Sequence, residues 1–281
     1  MASAREATHN FSTLVPNGLV VTRHWLLSKG VNRSTVDRWV RQGRLKSLLP
    51  GIFMREVPER FTWQALICSL QRMPEQHGIY PGGLTVLEMS GFADFQSLRG
   101  QSAVHLYGPH QPPSWVYKFA AEYLPNLTFD WHGRKELGGG LLSGTVYSVD
   151  AVGITGDTFD RLAWGPDEWS LTASSVERAA FEMLADIPAS LSFEHADQIF
   201  RGLERLSPGL IEKLLAACDS VKLKRLFLWF SERHKHRWLS HLDLARYNMT
   251  TGALGVGKRK LVKGGRLDPK YLITVPAEFY R

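Results

Sequence analysis

The stretch TRHWLLSKGVNRSTVDRWVRQGRLKSLLPGIFMR, residues 22–55, decides the fold of the N-terminal part of the chain. Thr22 is placed to cap a helix running through Arg23-His-Trp-Leu-Leu-Ser28, and Gly30 to end it. Asn32 can cap a second helix from Arg33 to Gln42, with Gly43 as its stop. The short connection between them contains Gly30 and has helix-turn-helix spacing. In the segment Arg44 to Arg55, Pro50-Gly51 suits the centre of a type II turn, which predicts a short hairpin. Helix, turn, helix and hairpin in that order make a winged helix-turn-helix, expected over about residues 11–56.

The second helix carries the chemistry of this unit. At about 100° per residue, Val36, Trp39 and Val40 fall on one face and should pack on the first helix. The opposite face carries Ser34, Arg38 and Arg41, flanked by Thr35, Asp37 and Gln42. Arginine can bond guanine through two donors, glutamine can read adenine, and serine or threonine can meet either base. Arg33, Arg44 and Lys46 lie where phosphate contacts would fix the helix in register. The expected DNA-binding set is therefore Arg33, Ser34, Thr35, Arg38, Arg41, Gln42, Arg44 and Lys46. A polar helical face that docks on protein is the competing reading, and both stand at this point.

Outside this unit, Phe61 to Arg72 predicts an amphipathic helix, and Gly83 to Met89 reads as helical. Val104–Tyr107, Leu127–Trp131 and Thr145–Val149 read as strands bounded by Gly, Pro or Asn. Gly138-Gly139-Gly140 reads as a flexible turn or linker. Ser174-Ser-Val-Glu177 has the spacing of a capping box, with Ser174 as the cap, opening a helix to about Ala185. Further helices are expected near residues 193–204, 208–218 and 222–234. The tail Lys258 to Val275 should form strands around Gly264-Gly265. No internal repeat is present. The expected fold class is α+β: a winged helix-turn-helix domain over residues 1–60, then a larger mixed α/β domain over 61–281, with a division near residue 170 left open.

Charge is distributed unevenly along the 281 residues. Residues 1–60 hold 10 Lys/Arg against 4 Asp/Glu; residues 61–220 hold 10 against 19; residues 221–281 hold 14 against 4. The overall excess of +7 is thus confined to the two ends. A basic end suits a polyanion, because each neutralised phosphate releases a counterion; a solvated surface without a ligand is the plain alternative. With 44% hydrophobic and 22% charged residues the chain should fold as a globular protein. No apolar run is long enough to span a bilayer, and Met1 to Asn10 has no signal-peptide core. Cys68 and Cys218 each lie inside an apolar stretch and read as reduced core thiols. A cytoplasmic protein is expected.

Two motifs fail on inspection. Gly252-Ala-Leu-Gly-Val-Gly-Lys258 begins like a phosphate-binding P-loop, but Arg259 stands where a Ser or Thr should hold magnesium. His234, His236 and His241 crowd a basic segment with no cysteine or carboxylate set at ligand spacing, which suggests a solvated basic face. Glu88 reads as an ion-paired helix residue and Glu177 as a capping one. No catalytic residue, metal site or cofactor is expected.

Several segments, spread over roughly residues 15–276, resemble the AbiEi antitoxins of the abortive-infection AbiE toxin–antitoxin systems. They are the winged helix from Leu26 to Gly51, Gly82-Gly-Leu-Thr-Val-Leu-Glu-Met-Ser-Gly91, Ser174-Ser-Val-Glu-Arg-Ala179, Val221-Lys-Leu-Lys-Arg-Leu-Phe-Leu228, and Val262-Lys-Gly-Gly-Arg-Leu-Asp-Pro-Lys-Tyr271. The resemblance implies an autorepressor that binds inverted repeats in double-stranded DNA before its own operon. It also implies that the C-terminal part counteracts a partner nucleotidyltransferase toxin in a type IV system. The basic C-terminal residues Lys258, Arg259, Lys260, Lys263 and Arg266 are then the expected antitoxin face. A protein-interaction module with a winged-helix fold, and a nucleic-acid-processing enzyme using the basic tail, are the alternatives.

Overall fold

A computed structural model of the chain describes residues 11–73, 78–92, 102–133, 137, 139–143, 147–150, 153–165, 168–247 and 252–280. The N-terminal part is a winged helix. Strand β1 (Val20–Thr22) leads into α1 (Arg23–Ser28) and α2 (Arg33–Arg41), followed by the hairpin β2 (Lys46–Leu49) and β3 (Ile52–Met54). The three strands form one antiparallel sheet in the order β1-β3-β2. Both helix starts have the expected chemistry: Thr22 accepts from the Trp25 amide and Asn32 from the Thr35 amide. Gly30, Gly43 and Gly51 take positive φ at 82°, 69° and 77°, the left-handed turns that end the two helices and close the wing. A small core of Val21, Trp25, Leu26, Val36, Trp39, Leu45 and Phe53 fills the space between helices and sheet.

The other face of this small sheet is not solvated. Leu19, Val20, Ile52 and Met54 share a second core with Leu66, Ile67 and Leu70 of α3 (Trp63–Gln71). The Val20 amide donates to the buried Ser69 hydroxyl at 3.0 Å, fastening β1 to α3. The same core reaches the central sheet, in which β4 (Tyr80–Pro81) runs antiparallel to β5 (Ser102–Tyr107), and β5 runs parallel to β6 (Leu127–His132). The parallel step is made by the crossover helix α5 (Ser114–Tyr123), which follows α4 (Gly83–Met89) in the chain. Hairpins β7 (Ser148–Asp150)–β8 (Gly153–Thr155) and β9 (Phe159–Trp164)–β10 (Trp169–Ser174) complete this region. Gln71 at the end of α3 donates to the Ile79 and Thr172 carbonyls and accepts from the Thr172 amide, tying α3 to β10.

The C-terminal body is helical: α6 (Val176–Met183), α7 (Phe193–Gly202), α8 (Pro208–Ala217) and α9 (Val221–His234) enclose the largest core. The tail wraps over it, and its two short strands, β11 (Arg266–Leu267) and β12 (Thr274–Val275), pair antiparallel. That pairing closes through Asp268, whose carboxylate accepts from the Lys270 and Tyr271 amides. The tail turn was expected at Gly264-Gly265; these residues bend the chain ahead of β11, and the strand-joining turn is the Asp268 one.

Two further expectations are corrected. The cap of α6 is Ser175, whose hydroxyl accepts from the Arg178 amide, and not Ser174. Ser174 donates to Glu182 at 2.6 Å, and Glu177 accepts from the Ser207 amide instead of reaching back to the helix start. The glycine run is not a free linker in its described part: the Gly139 and Gly140 amides both donate to the Asp219 carboxylate, at 2.9 and 3.0 Å. Gly138 lies outside the described residues.

The segments Gly82–Gly91 and Ser174–Ala179 meet in a buried hub. Glu182 accepts from Tyr80 Oη, the Gly83 amide, Ser174 Oγ and Arg178 Nε at 2.6–3.0 Å. Arg178, fully buried, also donates to Tyr80, Thr158 and the Leu141 carbonyl. A Cβ at residue 82 would lie 2.1 Å from a Glu182 oxygen, so glycine there is a condition of the hub.

Candidate nucleic-acid interface

Helix α2 divides cleanly into two faces. Val36 is fully buried and Trp39 nearly so, with Val40 half-buried beside them. The Phe11 and Trp39 rings pack edge to face with their centroids 4.7 Å apart. Arg33, Ser34, Arg38, Arg41 and Gln42 are all exposed, and Thr35 is half-buried. Asp37 lies on the same exposed face, where it accepts from Arg23 of α1 at 2.8 Å. That pair consumes the one acidic group among these side chains and leaves the arginines as the dominant charge. Arg38 and Arg41 also lie in the last turn, where cations are favoured by the helix dipole.

The wing contributes less evenly. Lys46 and Ser47 are exposed on β2, beside the end of α2. Arg44 is half-buried, its guanidinium 4.2 Å from the Phe11 ring centroid and 5.8 Å from that of Trp39. Its guanidinium is therefore partly committed to the aromatic pair beneath it. The structure thus brings Ser34, Arg38 and Arg41 onto one outward face, with Arg33 and Gln42 at its two ends and Lys46 nearby.

The C-terminal basic residues form a separate surface. Lys258, Lys260, Lys263 and Arg266 are exposed and Arg259 is half-buried. The loop that supports them is held by Arg225, which donates to the Leu254, Gly255 and Gly257 carbonyls. The P-loop-like segment therefore turns carbonyl oxygens onto a buried cation, the reverse of the amide cradle that an anion needs. His234 and His236 do not form the expected solvated face. His234 Nε2 meets the Asp197 carboxylate at 2.8 Å, and His236 Nε2 the Phe200 carbonyl at 2.6 Å. Only His241 of the three is exposed.

The other candidate groups resolve as follows. Cys68 and Cys218 are buried and unpaired, and burial pushes their thiols up to about 12 and about 11, so neither is a thiolate near neutrality. Glu88 forms no ion pair with any described residue, against expectation; desolvation of its half-buried carboxyl pushes it up to about 7. One cluster had no signature in the sequence. His105, His132 and Asp186, all buried, offer donor atoms within 4.8 Å of one another. They stand 27 and 54 residues apart, far outside any ligand spacing motif. The parallel register places His105 and Tyr107 opposite Asp130 and His132, so the alternation along β5 and β6 puts these four on one face of the sheet. Only this pairing of β5 with β6, which no local pattern in the sequence specifies, brings the two histidines together.

Comparison with known proteins agrees with the resemblance. A search of curated proteins finds no significant match. Among solved structures the chain is similar to the RV2827C protein from Mycobacterium tuberculosis, at 15% identity and a TM-score of 0.48, over 91% of this chain and 85% of that one. No helix among the described residues is long and apolar enough to cross a membrane. Residues 4–98 match the family described as transcriptional regulator, AbiEi antitoxin N-terminal domain, and residues 157–276 match transcriptional regulator, AbiEi antitoxin, type IV TA system. The chain belongs to the AbiEi family of antitoxin transcriptional regulators of type IV toxin–antitoxin systems.

Proposed function

We propose that the protein represses its own operon by binding inverted repeats in double-stranded DNA through α2, and counteracts a nucleotidyltransferase toxin through its C-terminal part, without catalysis of its own. The observation that carries the first half is the composition of the exposed face of α2. Ser34, Arg38 and Arg41 project together from a helix whose other side is locked into a winged-helix core. This is the element such folds lay in the major groove, with the wing alongside. In this reading Arg38, Arg41 and Gln42 meet base edges with Ser34 and Thr35, while Arg33, Arg44 and Lys46 meet phosphates. Residues 1–60 form the DNA-binding part and 61–281 the antitoxin part, in which Lys258, Arg259, Lys260, Lys263 and Arg266 present the working surface.

The test is binding of the full-length protein to DNA from upstream of its gene, against scrambled DNA, over a range of salt. Arg38→Ala and Arg41→Ala should each cost about 1–3 kcal/mol of specific binding and leave nonspecific binding nearly intact. Arg33→Ala should weaken both and lower the salt slope by about one. A footprint unaltered by all three substitutions would remove α2 from the interface.

A further inference from the structure

We propose that His105, His132 and Asp186 form a binding site for a divalent first-row transition ion of the zinc type, fastening the central sheet to the C-terminal helical body. The three residues come from three elements. His105 lies on β5, His132 ends β6, and Asp186 ends the 3₁₀ turn Leu184–Asp186 that follows α6.

The spacing of the polar atoms is the first argument. His105 Nδ1 lies 3.0 Å from His132 Nε2, and Asp186 Oδ2 lies 3.9 Å from His105 Nδ1. Asp186 Oδ1 lies 3.6 Å from His132 Nδ1. The two carboxylate–imidazole separations are too long for hydrogen bonds. Measured from the shared His105 Nδ1, the distances to His132 Nε2 and Asp186 Oδ2, 3.0 and 3.9 Å, bracket the edge of a tetrahedron with bonds of about 2.0–2.1 Å, which is roughly 3.4 Å, and one donor atom from each residue lies within 4.8 Å of the others.

Unmet bonding capacity is the second. The Asp186 side chain is only 9% exposed, yet its Oδ2 has no hydrogen-bond partner among the described residues. A buried carboxylate oxygen left in this way is costly, and a cation placed between it and the imidazoles would satisfy it.

Donor type and charge select the ion. Two imidazole nitrogens and one carboxylate oxygen suit zinc and its neighbours, whereas calcium and magnesium take oxygen donors. No thiol belongs to the cluster. Asp130 acts electrostatically on His105 and Asp186, and Lys222 on Asp186, so two carboxylates are set against one ammonium near the imidazoles, a balance that favours a cation. Support from behind is present too. The His105 amide donates to Thr85 Oγ1 at 2.8 Å, and the Tyr107 ring stacks on His132 at 4.6 Å. Three protein donors leave one position of a tetrahedral ion for water or another small ligand.

The experiment uses the full-length protein after dialysis against a chelator, titrated with Zn(II) by calorimetry and with Co(II) by visible absorption. The expected result is one equivalent of either ion, with Co(II) bands of a four- or five-coordinate site. Asp186→Asn and His132→Gln should abolish the bands and weaken binding by more than about 100-fold, beyond what loss of a supporting partner costs. Their metal-free circular dichroism should match that of the metal-free parent. X-ray absorption at the zinc edge of the loaded parent should show two imidazoles, oxygen and no sulfur, and this reading does not depend on the variants folding. No stoichiometric binding by the parent, equal binding by folded Asp186→Asn, or fewer than two imidazoles at the zinc would each overturn the site and leave a hydrogen-bonded histidine pair.

Discussion

Glu88 shows how a single carboxyl can tax the fold. Its carboxyl is pushed up to about 7 because it is half-buried without a cationic partner among the described residues. Between about pH 4.5 and 7 the folded chain therefore holds a proton that the unfolded chain has released, so stability falls as pH rises through that window. The shift is screened by solvent, and the penalty at pH 8 should be about 1 kcal/mol. Glu88→Gln is expected to recover that amount at pH 8 and to change little at pH 4, measured by denaturant unfolding at both. An equal effect at the two pH values would sink this account. Arg178 sits at the opposite extreme, with its charge buried but fully engaged by Glu182, Tyr80 and Thr158. Replacing it with Met leaves Glu182 buried with no cation, and should cost about 3–5 kcal/mol in the same assay. A loss under about 1 kcal/mol would mean that the hub repacks around a protonated Glu182.

At the level of elements, what could be read from the sequence was what local chemistry decides. The winged helix was legible because Thr22, Asn32, Gly30, Gly43 and Gly51 each act within three or four residues of where they stand. Helix α4 over Gly83–Met89 and helices α7 to α9 also form where the sequence places them. The hairpin β9–β10 was not, since β9 is exposed along most of its length and shows no alternation of buried and exposed residues. The cap of α6 was misplaced by one residue because the Ser174 hydroxyl is claimed by Glu182, a helical turn beyond the local pattern. Within α2 the expected apolar face can be tested on its own. Trp39 is 4% exposed and packs against Phe11 and Arg44, so Trp39→Ala should cost about 3–5 kcal/mol and abolish DNA binding by loosening the winged helix. Binding lost with an unchanged thermal midpoint would instead make Trp39 part of the contact surface.

Over the whole molecule the two basic ends, separated by an acidic middle, suggest two tasks on two surfaces. Replacing Lys258, Arg259, Lys260, Lys263 and Arg266 with Gln or Ser should leave promoter repression near normal and remove protection in cells that express the partner toxin. Full protection by that variant would dismiss the basic tail as the working surface. Substitution within the full-length chain is the right tool here, because Leu19, Val20, Ile52 and Met54 belong to the core that contains Leu66, Leu106 and Leu171. Cutting at residue 60 would lay open the flank of that core. The shared core also bears on how such a protein can diversify. A DNA-reading head on a loose tether can be exchanged between lineages as a cassette, and the recipient need not adapt. Here the donor head would have to arrive with a matching underside, so recombination at residue 60 should mostly yield misfolded hybrids. New operator preferences are then expected to accumulate one side chain at a time on the outward face of α2, with the seam beneath it held constant.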